Sequence, residues 1–270
     1  MKTPLRYPGG KSRAVKYILP HIPEDVPRLC SPFFGGGSVE LAVANRGTEV
    51  VGYDKMKQLV WFWQGLCGDN NRLADEVERL REQYTIRNGD TVTGCSKDSF
   101  HQYREDLKIE TFMFSYERAA KYYAINRASF SGATFSGGWS ERASYARFTE
   151  SSVQRIRDFK AQNFRVDYAD FEYAILWHPK AFLYLDPPYL LQGSQNSLYG
   201  VNGQLHSGFD HQKLYELLSD RTDWVMSYND CKEIRDLYCD RKIIEAKWAY
   251  GMKNIGKKTM GSSSEILIIG

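Results

Sequence analysis

The stretch AFLYLDPPYLL, residues 181–191, decides the fold. Its first five residues are a short apolar run with no polar face, which reads as a strand buried on both sides, as in a parallel sheet. The run ends in an acid, two prolines and a tyrosine. Each proline fixes φ and removes an N–H donor, so the ladder stops and the backbone is held still. Open α/β sheets bind ligands outside the carboxyl ends of their strands. An immobilised carboxylate (Asp186) and a large ring (Tyr189) at such an end therefore mark a site.

Working outward, RLCSPF (28–33) and VVGYD (50–54) read as two further strands, separated by a glycine turn and the apolar helix VELAVANRG. Strands recur at NFRVDYAD (163–170) and DWVMSY (223–228), with the helical HQKLYELLSD (211–220) before the latter. Short apolar strands alternating with helices predict a mainly parallel, Rossmann-like α/β sheet. RKIIEAKWAY and SEILIIG flank the loop GMKNIGKKTMGSS and predict a terminal antiparallel hairpin. Between them lies a mostly helical interruption, with helical spacing in KQLVWFWQGL and NNRLADEVERLREQY. It also contains SFSGATFSGGWS, which is too rich in glycine and serine for a regular helix. Residues 1–60 and 161–270 thus form one domain, and 61–160 an inserted lobe.

The chain has 270 residues, 42% hydrophobic and 26% charged, the balance of a globular protein with one sizeable core. No apolar run approaches the roughly eighteen residues of a membrane span, and no apolar signal segment opens the sequence. Five scattered cysteines without CxxC pairs fit reduced thiols rather than a disulfide frame or a zinc site. The five histidines show no metal-ligand spacing, so neither metal nor covalent nucleophile is expected. A net charge of +3 neither demands nor excludes a nucleic-acid partner.

SPFFGGGSVEL sets three glycines between a strand and a helix, a turn that lets a ligand approach backbone N–H groups closely. Asp54 ends the next strand, where an acid accepts hydrogen bonds from ribose hydroxyls in nucleotide-type folds. Gly35, Gly37 and Asp54 are thus candidate contacts for an adenosine-bearing ligand. GKS at 10–12 invites a phosphate-loop reading, but that motif needs a glycine where Leu5 stands, and no strand precedes it.

Taken in order, RYPGGK, PFFGGGS, Asp54 and DPPY resemble the Dam-like (D12 class) adenine-N6 DNA methyltransferases, over almost the whole chain. The resemblance implies a methyltransferase-type sheet, S-adenosylmethionine as cofactor, double-stranded DNA as partner and a cytoplasmic setting. It places Tyr7 and Lys11 at the methyl donor, Gly35 and Gly37 around its methionine end, and Asp54 on its ribose. Asp170 and Phe171 fall beside its adenine ring. Asp186, Pro187 and Tyr189 become the catalytic corner, with Asp186 also touching the donor. The lobe becomes the DNA-recognition element, with Asn126, Arg127, Ser129, Trp139, Arg142 and Arg147 as DNA contacts, joined by Lys253 and Lys257 of the terminal hairpin loop. Beyond Asn126-Arg127 the loop departs from the pattern that goes with GATC targets, so the recognition sequence stays open.

Rival readings are cytosine-N4 or RNA methylation, a catalytically silent DNA binder, and a nicotinamide dehydrogenase. Cytosine-N4 enzymes more often carry serine in place of Asp186. A silent binder has no need of Asp186, Lys11 and Asp54, and a dehydrogenase leaves GGK and DPPY unexplained. Cytosine-C5 methylation needs a Pro-Cys pair, which the chain lacks. Oligomeric state, monomer or weak dimer, is left open.

Overall fold

The computed structural model describes residues 2–109, 113–160, 163–190, 208–246 and 265–270. Among them are nine strands: β1 Arg28–Ser31, β2 Glu49–Asp54, β3 Glu82–Thr85, β4 Thr91–Gly94, β5 Phe164–Tyr168, β6 Phe182–Leu185, β7 Trp224–Asn229, β8 Lys242–Glu245 and β9 Glu265–Ile269. Seven form one sheet in the order β5-β2-β1-β6-β7-β9-β8. From β5 to β7 every neighbouring pair is parallel, whereas β9 runs antiparallel to both β7 and β8. The terminal hairpin is therefore present, with its second strand inserted between β7 and its first.

The chain leaves β1 toward β2 and β5 on one side, and β6 toward β7 on the other. The strand order thus reverses between β1 and β6, the switch point at which open α/β sheets bind ligands. DPPY lies at that point. All four β6 residues are buried. Their alternation feeds two cores: Phe182 and Tyr184 point into one, Leu183 and Leu185 into the other.

Helices α1 Val15–Ile18, α2 Ser38–Ala44 and α3 Lys57–Gly68 contribute to the first core. The lobe packs on the same side through α4 Asn70–Arg79, α5 Lys97–Lys108, α6 Tyr116–Ala128, α7 Glu141–Arg147 and α8 Glu150–Arg157. The opposite face is covered by α9 Phe171–Trp177, α10 His211–Leu218 and α11 Lys232–Leu237. Helix α6 is buried on every side from Tyr122 to Ala128, Asn126 and Arg127 included, because α3, α4, α5 and α7 pack around it. The boundary expected at residue 61 falls inside α3, which packs on β5 as well as on α6. The lobe thus shares one continuous core with the sheet.

One helical expectation fails. NNRLADEVERLREQY was read as helical to its end, but α4 stops at Arg79 and Glu82–Thr85 pairs with Thr91–Gly94. Asn88-Gly89 makes the turn, with Gly89 at φ +92°. β-Branched Thr85, Thr91, Val92 and Thr93 favour the strands over a further helical turn.

Candidate active site and nucleic-acid face

The glycine turn after β1 owes its shape to Tyr7. Gly35 and Gly37 sit at φ +48° and +65°, the left-handed region open to glycine. A Cβ on Gly35 would stand 2.9 Å from the Tyr7 ring, and one on Gly36 2.8 Å from Tyr7 Cβ. The YPGG segment therefore lies directly on the turn. Asp54 fixes it from the other side: its Oδ2 accepts from Gly35 N at 2.9 Å and its Oδ1 from Met56 N at 2.9 Å. Burial pushes the Asp54 carboxyl up to about 6, opposed by the backbone N–H groups of Met56, Gly35 and Lys55.

A cavity opens between the turn and the end of β6. Tyr7, Lys11, Gly35, Gly37, Asp54, Asp170, Phe171 and Asp186 all line it, so the eight candidate donor contacts converge from across the chain. Phe33 and Phe171 stack at 5.7 Å, and Phe209 meets both, making an aromatic wall. Asp170 Oδ2 accepts from Lys55 at 2.5 Å, while its buried Oδ1 has no hydrogen-bond partner among the described residues. A buried acceptor left unmet beside an aromatic wall fits a planar ligand edge that donates a hydrogen bond.

Around DPPY the charges are concentrated. Lys11, only 4% exposed, holds both oxygens of Asp186 at 2.7 and 2.8 Å and lies 3.9 Å from Glu265. Ser227, near the end of β7, donates to Asp186 Oδ1 at 2.8 Å. Tyr189 donates its hydroxyl to Glu265 at 2.5 Å and stacks on Tyr228 at 5.8 Å. Pro187 is buried beneath them. Glu40, in the first turn of α2, accepts from Ser31 Oγ at 2.7 Å. Burial pushes its carboxyl up to about 8, Asp186 adding to the rise and Ser31 and Lys11 opposing it. Glu40 is therefore largely neutral at pH 7. Sequence reasoning missed Glu40, Ser227, Glu265, Phe33 and Phe209. Ser227 was accessible to it, as a polar residue closing an apolar parallel strand; the others carry no local signal.

The lobe corrects several expectations. Asn126 is fully buried; its amide bridges Arg6 N (3.1 Å), Arg6 O (2.7 Å) and Gly132 O (3.0 Å). Arg127 is 5% exposed and spends its guanidinium on the Arg147 and Pro4 carbonyls. Ser129 Oγ is buried between Asn126 O and Thr134 N. Trp139 Nε1 donates to Cys95 O at 3.0 Å, and its ring packs on Tyr84. The buried Asn126, Arg127 and Ser129 and the half-buried Trp139 brace the loop and the N-terminal segment, with their polar atoms engaged within the protein. Arg142 and Arg147 are exposed. Arg6 and Arg155 stand near Arg147 and Arg127, and burial together with these like charges pushes the Arg6 and Arg127 guanidinium groups down from their ordinary value. A bridge from Ser129 to Trp139 closes the loop, with Phe130 beside it 69% exposed. Lys253 and Lys257 lie outside the described residues.

A ligand crevice at the switch point, walled by aromatic rings and closed by an acid–proline corner, defines a methyltransferase-type α/β protein. The chain belongs to the D12 class N6 adenine-specific DNA methyltransferases, whose family model matches residues 7–252. The activity that goes with the family is methylation of adenine in DNA. No curated protein matches the chain. Among the described residues no helix is long and apolar enough to cross a membrane, and no group of His, Cys, Asp and Glu could hold a metal ion.

Proposed function

We propose that the chain transfers a methyl group from S-adenosylmethionine to the N6 amine of an adenine extruded from double-stranded DNA. The observation that carries this reading is the corner itself: a carboxylate fixed by Lys11 and Ser227, beside a ring bonded to Glu265, at the mouth of an aromatic-walled crevice.

S-adenosylmethionine supplies a methyl group on a sulfonium, activated for attack. Asp170 Oδ1 would accept from the donor's adenine edge, with Phe33 and Phe171 against its ring, and Asp54 would take its ribose hydroxyls. At the acceptor, the exocyclic amine is a poor nucleophile because its lone pair is delocalised into the ring. Asp186 and the Pro187 carbonyl accept its two hydrogens, which favours a pyramidal nitrogen and stabilises the positive charge that grows during attack. With the donor bound, the nitrogen lone pair would form the new bond to the methyl carbon, the carbon–sulfur pair would leave with sulfur as a neutral thioether, and the N6 proton would pass to solvent water. Because the target atom is hidden inside a duplex, the base leaves the stack, and Tyr189 offers it a flat face.

The test is incubation with S-adenosylmethionine and unmethylated mixed-sequence DNA, followed by mass analysis of the nucleosides. The expected product is N6-methyladenine, with the rate falling at least about a hundredfold in Asp186→Asn, the scale of losing one preorganised stabilising group. N4-methylcytosine in its place would overturn the substrate, and full activity in Asp186→Asn would overturn the mechanism.

A further inference from the structure

We propose that Glu265 is a positioning residue for methyl transfer, acting through the hydroxyl of Tyr189; this rests on the reading of DPPY given above. Glu265 lies beyond residues 7–252, the span the family model covers. It opens β9, and because β9 runs antiparallel to β7, a strand beginning rather than a strand end arrives at the crevice. Its partner across the ladder is Asn229, the last residue of β7.

These two partners hold consecutive residues of one segment. Asn229 brackets Leu190, accepting from its N–H at 3.1 Å and donating to its carbonyl at 3.2 Å. Glu265 takes the Tyr189 hydroxyl at 2.5 Å. The prolines fix the backbone before Tyr189, and Asn229 fixes it after. The side chain itself is restrained by its stack on Tyr228 and by the bond to Glu265 at the far end of the ring. A phenol donating to a carboxylate makes a short, charge-assisted bond, stronger than one between neutral groups. Glu265 is itself 5% exposed and lies 3.9 Å from Lys11 Nζ, which sits 5.2 Å from the Tyr189 ring centre and grips Asp186. One buried carboxylate thus sets the distance between the ring that meets the base and the carboxylate that meets its amine.

The experiment measures single-turnover methyl transfer to mixed-sequence DNA by the full chain, with S-adenosylmethionine affinity determined alongside. The variants are Tyr189→Phe, Glu265→Gln, Glu265→Leu and the double Tyr189→Phe/Glu265→Leu. Tyr189→Phe and Glu265→Leu are each expected to slow transfer on the order of tenfold, short of the hundredfold that a 1 Å misplacement costs. Donor affinity should stay unchanged. The double variant should be no slower than the slower single, since both remove the same bond. Glu265→Gln keeps an acceptor oxygen and should recover most of the rate. Losses that multiply in the double variant, or a full rate in Tyr189→Phe, would overturn the inference. Should Glu265→Leu fail to fold, Tyr189→Phe alone still decides, because a full rate there leaves Glu265 nothing to act through. A wild-type chain that methylates no adenine would instead sink the reading beneath it, so the two failures are told apart by the wild-type product.

Discussion

Glu40→Gln is expected to stabilise the protein, by an amount that grows with pH. Glu40 is 3% exposed, so no solvent relieves its charge. Its ordinary value of 4.5 rises to about 8 in the folded chain. Between these two values the folded state keeps a proton that the unfolded chain has released, and stability falls with rising pH by about 1.4 kcal/mol per unit. The accumulated cost at pH 7 is about 3 kcal/mol, and it levels off above pH 8, where both states are ionised. Glutamine has the shape of the protonated acid, can still accept from Ser31 Oγ and does not titrate. Urea unfolding at pH 5, 6, 7 and 8, followed by tryptophan fluorescence, gives the difference directly. The two proteins should converge toward pH 4.5, and the variant should lead by about 3 kcal/mol at pH 7. A difference that does not vary with pH, or a variant less stable at pH 7, would refute the assignment of a neutral buried acid.

Asn126→Ala should cost about 2–3 kcal/mol in urea unfolding, because the Arg6 amide and carbonyl lose their partner. The salt dependence of DNA binding should be unchanged by it. Arg147→Ala should do the reverse, leaving stability alone and making the plot of log affinity against log salt shallower by about one, as expected for one phosphate contact. Gly35→Ala places a methyl group 2.9 Å from the Tyr7 ring in a left-handed backbone; it should weaken S-adenosylmethionine binding in a calorimetric titration.

What the sequence made legible was what local chemistry dictates. The apolar run into DPPY located the central strand, and the glycine turn and Asp54 located the crevice, because buried strands and left-handed turns restrict residue type at each position. The side-chain partners were less legible. Asn126-Arg127 on a polar, serine-rich stretch reads as surface, yet tertiary packing buries both and uses them as braces for Arg6 and Pro4. Trp139 likewise is committed to Cys95, a contact no spacing announces. The hairpin after α4 was hidden by helical spacing that ran past its true stop, although Asn88-Gly89 was there to be read. Glu265 looks like the polar first residue of a strand until the antiparallel order of β9 is known.

That order also explains how the corner depends on the whole fold. The bonds that define it span long stretches of chain: 175 residues from Lys11 to Asp186, 76 from Tyr189 to Glu265, 41 from Asp186 to Ser227. None forms within a single helix or hairpin. Each requires the sheet to have assembled with β6, β7 and β9 side by side, and closing such distant contacts carries a loop-entropy cost that local structure does not offset. The prolines of DPPY reduce that cost at one end by leaving little backbone freedom to lose. At the other end β9 carries only five residues, held between β7 and β8. Its Ile266, Leu267 and Ile268 enter the cores on both faces of the sheet, so the strand that presents Glu265 to Tyr189 and Lys11 is held by the same packing that holds the fold.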